Sequence, residues 1–322
     1  MNALQMVTPI NLLEEKEKFL ANPSSNPQLT YRQPIPPETL TKHGLPKSDF
    51  VDLAQHILDK AYHNRNHQDL VMTEGKLVDQ AEVENKALTF LKLHDLDKRI
   101  NITWSSSFVS TTSITKNTLK FRIPCEYRKE GLMGTLYHEI GTHALRRVNY
   151  EQQPWFKKKK KYGFSNYLRT EEGLAAIHSL LPRTFRSFHK SALRYLAVCW
   201  AQDKSFAELW QMTARYVPDE MRRWDLVFRA KRGLEDTGQL GGFTKDMLYF
   251  EGIVQVWHWL VKNDFDIPSL YLGKLALEDV DKAKEMNPNF TPVLPIFYKQ
   301  SPEEYRTQVY EIGQFNHLDE LL

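Results

Sequence analysis

Apolar residues recur at three- and four-residue intervals from Phe50 to Ala61, through Val51, Leu53, Ala54, Ile57 and Leu58. That spacing predicts an amphipathic helix, with Ser48 as a cap. A second helical run passes through Leu77, Val78, Ala81, Ala87, Leu88, Leu91 and Leu93. The period then drops to two. Ile100, Ile102 and Trp104 alternate, as do Leu119, Phe121 and Ile123, with a Ser/Thr-rich stretch from Ser105 to Ser113 and a turn near Lys116-Asn117. This predicts a two- or three-stranded antiparallel meander. Helical spacing returns at Leu132, Met133, Leu136, Tyr137, Ile140, Ala144, Leu145 and Val148, and again at Leu174, Ile177, Leu180 and Leu181. From Ser187 onward the pattern is nearly all helical. Ser205 to Glu208 has the capping-box form, Asp219 to Arg232 is a basic helix stopped by Gly233, and Thr244 to Val261 is a long apolar helix.

The fold class expected is therefore mostly helical α+β, with a small antiparallel sheet. Residues 1–20 suit a short amphipathic helix, and Asn22 to Pro37, with five prolines, reads as an extended segment. Residues 1–40 are expected to form an N-terminal arm. Residues 41–322 are expected to form one domain, with a sheet-bearing lobe at 41–185 and a helical lobe at 186–322.

Composition narrows the classes. The chain has 322 residues, 41% hydrophobic and 26% charged, which is ordinary for a globular protein. It holds no apolar run near the eighteen or so residues of a membrane span, and its first twenty residues lack a signal-peptide core. A net charge of +3 does not by itself point to nucleic acid. The two cysteines, Cys125 and Cys199, cannot build a disulfide framework, which favours a reducing, cytoplasmic compartment.

The candidate chemistry sits in Tyr137-His138-Glu139-Ile140-Gly141-Thr142-His143. Imidazole is a common zinc ligand, and a glutamate beside it is the usual base for a metal-bound water. The familiar spacing is H-E-x-x-H, one helical turn, whereas here it is H-E-x-x-x-H. Residues five apart on a regular helix differ by roughly 140° in direction. The pair can meet at one metal only if the turn is widened, and Gly141 lies inside that turn. Buried, hydrogen-bonded core histidines are the competing reading. A catalytic zinc needs a third ligand, and the acids of Thr170-Glu171-Glu172-Gly173-Leu174-Ala175 start a helix about thirty residues on, a suitable distance.

The combination H-E-I-G-T-H-x-L-R with E-E-G-L-A resembles the microtubule-associated tyrosine carboxypeptidases and their bacterial relatives. The likeness extends to Gln153-Pro154-Trp155, Lys161-Tyr162-Gly163, Arg229-Ala230-Lys231-Arg232-Gly233 and Gly242-Phe243-Thr244-Lys245-Asp246, covering roughly residues 40–260. It implies a zincin-like metallopeptidase core, one zinc per chain on His138, His143 and Glu172, and Glu139 as general base. It also implies removal of the C-terminal tyrosine of α-tubulin or of a similar acidic tail. Glu171 stands where many relatives have glutamine, and Glu251 where the family usually has arginine or glutamine.

A carboxypeptidase must bind a free terminal carboxylate, which calls for a fixed cation. The candidates are Arg146, Arg229, Lys231 and Lys245, with Tyr249 as a candidate oxyanion donor. The lysine run Lys157 to Lys161 reads as a solvated loop or as an attractor of an acidic tail. Partners expected are an acidic protein tail, α-tubulin or microtubules, with no nucleic acid and no membrane. An aminopeptidase or dipeptidyl peptidase is the nearest alternative. A non-catalytic metal-stabilised binding protein is the alternative from another class, and an intact Glu139 argues against it.

Overall fold

A computed structural model describes residues 6–108 and 110–321. The start of the expected N-terminal arm, residues 1–5, and Val109 of the Ser/Thr-rich stretch lie outside the described residues. Contacts sort the chain into two compact units, each assembled from separated segments. One contains the chain up to Leu70 with Phe188–Phe250, and the other contains Val71–Ser187 with Glu251–Glu320.

The first unit is helical. The Ser48–Tyr62 helix packs on the His189–Trp200 helix. Phe19, on the Leu12–Ala21 helix, sits edge-on to Phe206 and Trp210 at centroid distances of 4.8 and 5.0 Å. The proline-rich stretch turns at residues 23–25, makes an isolated bridge between Gln28 and Asp236, and is packed. Leu29 and Tyr31 are buried, the Leu29 N–H donates to Glu235 O, and the Tyr31 hydroxyl accepts from Gly233 N at 2.6 Å. Gly233 ends the Glu220–Lys231 helix in a left-handed conformation, φ +97°, and a Cβ there would meet Leu40 at 2.3 Å. The capping box at Ser205 and Glu208 is formed as the sequence predicts.

The second unit holds the sheet. Its strands are β1 (Asn101–Ser105), β2 (Thr112–Ile114) and β3 (Thr118–Arg122), in the order β1-β3-β2. Leu119 and Phe121 are buried, as the alternation predicts, and Phe121 stacks on Trp104 at 4.9 Å. The expected antiparallel meander is corrected to a mixed sheet: β2 pairs antiparallel with β3, and β1 pairs parallel with β3. Period two fixes which side chains face the core, and both strand directions satisfy it. The chain after β1 reaches the far side of β3 before β2 begins, so β1 and β3 run the same way and β2 is left as an edge.

After β3 the chain enters a continuous helical run: α-helix over Lys129–Leu136, π-helix over Tyr137–Ala144 and α-helix again over Leu145–Glu151. β2 lies against the π-helical stretch, and so does the Leu168–His178 helix. That second helix also meets the Met247–Lys262 helix backbone to backbone. A Cβ on Gly173 would lie 2.2 Å from the Gly252 carbonyl, and one on Gly252 would lie 2.2 Å from Arg169 O. No helix among the described residues is long and apolar enough to cross a membrane.

Candidate active site

The π-helical stretch supplies the widened turn that the H-E-x-x-x-H spacing requires. Leu145 N–H donates to Ile140 O, five residues back, and the Thr142 hydroxyl donates to Tyr137 O at 3.0 Å, again five back. The Tyr271 hydroxyl donates to Gly141 O at 2.6 Å. Gly141 matters here mainly for space, since a Cβ would stand 2.6 Å from the Phe297 ring, which also stacks on Tyr137 at 4.4 Å. A widened turn leaves carbonyls without their regular partners, and a hydroxyl at Thr142 and another at Tyr271 fill two of those vacancies.

With the turn widened, the two histidines face each other. His138 Nε2 lies 3.0 Å from His143 Nε2, and Glu172 Oε2 lies 3.9 and 3.7 Å from those two atoms. One ligand atom from each of the three residues fits within 4.8 Å, close enough for a single ion. Two imidazoles and one carboxylate form a donor set that zinc accepts, leaving a fourth position open. The other nitrogen of His143, Nδ1, donates to Glu171 Oε1 at 2.9 Å, which leaves the Nε2 lone pair turned toward His138 and Glu172.

Adjacent acids on one helix point about 100° apart. Glu172 therefore faces the histidines, while Glu171 reaches behind them. Glu171 is buried among Arg146, Lys274 and His143 and accepts a hydrogen bond from each. Burial alone would raise its pKa, but Lys274 and Arg146 hold the carboxyl well below the usual range. Sequence reasoning missed this role, and the only available signal was a second acid beside the ligand candidate.

Glu139 lies beside this cluster, 9% exposed. Burial raises its pKa, His143 opposes that shift, Glu172 reinforces it, and the Ile114 backbone N–H on β2 stabilises the ionised form. For His143, burial lowers the pKa, and the Glu171 hydrogen bond with the charges of Glu172, Glu171 and Glu139 outweighs it, for a net rise. His178 is fully buried and supports the π-helix. Thr142 already donates its hydroxyl proton, so it accepts from His178 Nδ1–H at 2.8 Å, and His178 Nε2 accepts from the Tyr305 hydroxyl at 2.7 Å. Burial pushes its pKa down to about 3.

Residues 38–301 match the sequence profile of the microtubule-associated tyrosine carboxypeptidases. Microtubule-associated tyrosine carboxypeptidase 1 of Mus musculus is 33% identical over 98% of this chain and 69% of its own length. The proteins of the same name from Homo sapiens and Rattus norvegicus are 32% and 31% identical over the same shares. The chain belongs to the microtubule-associated tyrosine carboxypeptidase family. It is an enzyme of the peptidase class.

The expected carboxylate clamps of this tyrosine carboxypeptidase fare unevenly. Arg146 is corrected. It has no exposed surface, and its guanidinium donates to Leu270 O at 2.8 Å, to Leu275 O at 3.1 Å and to Glu171. Its guanidinium reaches Glu171, on the far side of His143 from the other ligand candidates. Lys231 is corrected as well. It is fully buried, with its ammonium donating to Lys204 O at 2.8 Å and Gly241 O at 2.9 Å. Arg229 is bidentate on Asp246, at 2.6 and 2.9 Å, and Lys245 and Tyr249 are half-buried. These three belong to the unit that does not contain His138 and His143. Glu251 is buried against Arg169 at 3.0 Å, beside the Gly173–Gly252 approach, so its departure from the family pattern falls in a packing contact. Of the lysine run, Lys157, Lys158, Lys160 and Lys161 are exposed, while the Lys159 ammonium lies 3.9 Å over the Tyr167 ring and burial lowers its pKa to about 7.

Proposed function

We propose that the protein is a zinc-dependent carboxypeptidase with a zincin-like core, acting in the cytoplasm on the C-terminal tyrosine of α-tubulin or on a similar acidic tail. The observation that carries this reading is the convergence of His138, His143 and Glu172 on one point, with Glu139 beside them, in a chain of this family. His138, His143 and Glu172 would hold the metal, and Glu171 would fix the orientation of His143. Zinc, when bound, supplies a Lewis acid that polarises the scissile carbonyl and lowers the pKa of water.

Glu139 is the general base. Its carboxylate accepts a proton from the attacking water and returns it to the leaving amine. β2 is an edge strand against the π-helix, and an extended substrate can add to such an edge through its backbone. The exposed lysines of the 157–161 run would attract an acidic tail over about a Debye length and speed encounter.

The test is Glu139→Gln, with zinc content by mass spectrometry and cleavage of a peptide ending in acidic residues and tyrosine. The variant is expected to keep one zinc and to lose about 10²- to 10⁴-fold in kcat. Full activity in Glu139→Gln, or zinc-free wild type that cuts normally, would refute the proposal. Cleavage only from the amino end of the peptide would establish the aminopeptidase alternative.

A further inference from the structure

In the unit that does not contain His138 and His143, Arg194, Arg229 and Arg232 gather around Asp246. Arg229 is bidentate on Asp246, and the Arg232 Nη2 lies 4.0 Å from Asp246 Oδ1. Arg194 is close enough for its charge to act on Asp246, and its guanidinium stands 5.7 Å from the Tyr249 ring centroid. Asp246 is 3% exposed, and it is ion-paired with both Arg229 and Arg232.

The unbalanced member is Arg232. It is 9% exposed, yet its Nε is buried with no hydrogen-bond partner, and its fork meets Asp246 only at the outer limit of an ion pair because Arg229 already occupies that carboxylate. One face of the guanidinium is covered by the Phe243 ring at 5.0 Å. A guanidinium carries five N–H donors in a fork that matches a planar or tetrahedral oxyanion. Burying it without an acceptor costs free energy, and adding an anion would remove much of that cost. Desolvation and the like charge of Arg229 both disfavour the charged form of Arg232, and Asp246 offsets this only in part.

We propose that Arg232, with Arg229 and Arg194 beside it, forms a binding site for one oxyanion of the carboxylate or phosphate type. The proposal concerns this unit alone and does not depend on the peptidase reading. The ligand could be a free small anion or a carboxylate of an acidic peptide, and the shared chemistry is an oxygen pair that accepts from a guanidinium fork.

The experiment is a thermal-shift and calorimetric titration of the full-length protein as purified with sodium sulfate at ionic strength matched by sodium chloride. Wild type is expected to show saturable binding of about one sulfate and a saturable rise in Tm. Arg232→Gln is expected to bind at least tenfold more weakly, with Arg232→Lys intermediate because it keeps the charge and loses the fork. A Glu-rich peptide that displaces the sulfate identifies peptide carboxylates as the ligand, and one that does not identifies a free anion. No saturable sulfate effect on wild type overturns the proposal, whether or not the variants fold. Equal binding by wild type and folded Arg232→Gln overturns it too.

Discussion

Glu171→Gln changes one atom in size and one unit in charge, and it tests how the buried polar cluster behind His143 works. The carboxylate accepts from His143 and Lys274 on one oxygen and from Arg146 on the other. A glutamine can accept on one side only. If its oxygen faces His143 and Lys274, its amide NH₂ points at the Arg146 guanidinium, and two donors then oppose each other. Charge makes this worse. Arg146, Lys274 and Glu171 together carry one net positive charge, and the substitution leaves two buried cations with no anion between them. Leaving a buried charge uncompensated costs about 3–5 kcal/mol, a large part of the 5–15 kcal/mol of a typical domain.

Two measurements read this out. Thermal melts of the metal-free protein should fall by on the order of 10 °C, at about 2–4 °C per kcal/mol for a chain of this size. Chelator competition should show zinc affinity reduced about 10- to 100-fold, the usual effect of losing the group that orients a ligating histidine. Lys274→Met should recover part of the lost stability in the double variant, because it removes one of the two stranded charges. If Glu171→Gln melts within about a degree of wild type and binds zinc equally well, the cluster does not hold His143 in the way argued.

Two further outcomes follow from the packing and the electrostatics around the site. Gly173→Ala should cost about 3 kcal/mol and lower zinc content as purified, because the new methyl group would collide with the Gly252 backbone, which cannot rotate away. Unchanged expression, melting and zinc content would show that the two helices can separate freely. His178 is buried neutral with its pKa pushed down to about 3, against an ordinary 6.5, so its contribution is present above pH 6.5 and is lost as pH falls toward 3. Metal-free wild type should therefore lose up to about 1.4 kcal/mol per pH unit below pH 6 from this group, and His178→Gln should show a shallower acid slope in urea titrations at pH 7, 6 and 5. Parallel slopes would refute this assignment.

The elements with strong periodicity were legible in advance. The Ser48–Tyr62 helix, the capping box at Ser205 and the period-two strands form where the apolar spacing puts them. The H-E-x-x-x-H spacing goes further, because it demands a widened turn, and the chain has a π-helix there. Strand direction was not legible, since β1 buries the same side chains whether parallel or antiparallel to β3. The fate of individual cations was not legible either. Arg146 and Lys231 look like any other base in sequence, and burial turns one toward Glu171 and the other toward backbone carbonyls. Helical geometry can say which side Arg146 faces, but it cannot say that Leu270 and Leu275 will be waiting there from more than a hundred residues away.

The same limit explains why two short motifs are so compact. In Glu171-Glu172-Gly173 three consecutive residues face three directions around one helix. Glu172 points to the histidines, Glu171 to the cations behind them, and Gly173 to the backbone of Gly252. A carboxylate fixes a metal site only if its helix cannot drift, and direct backbone contact at Gly173 is the shortest way to pin that helix beside its ligand. The π-helix obeys the same logic, with Thr142 and Gly141 between the ligand candidates secured by His178, Tyr271 and Phe297. The residues that set the geometry are thus interleaved with those that would carry the chemistry. That is why two short motifs located the site, while Tyr271, Lys274 and Phe297, which help to hold it in shape, lie more than a hundred residues further along the chain.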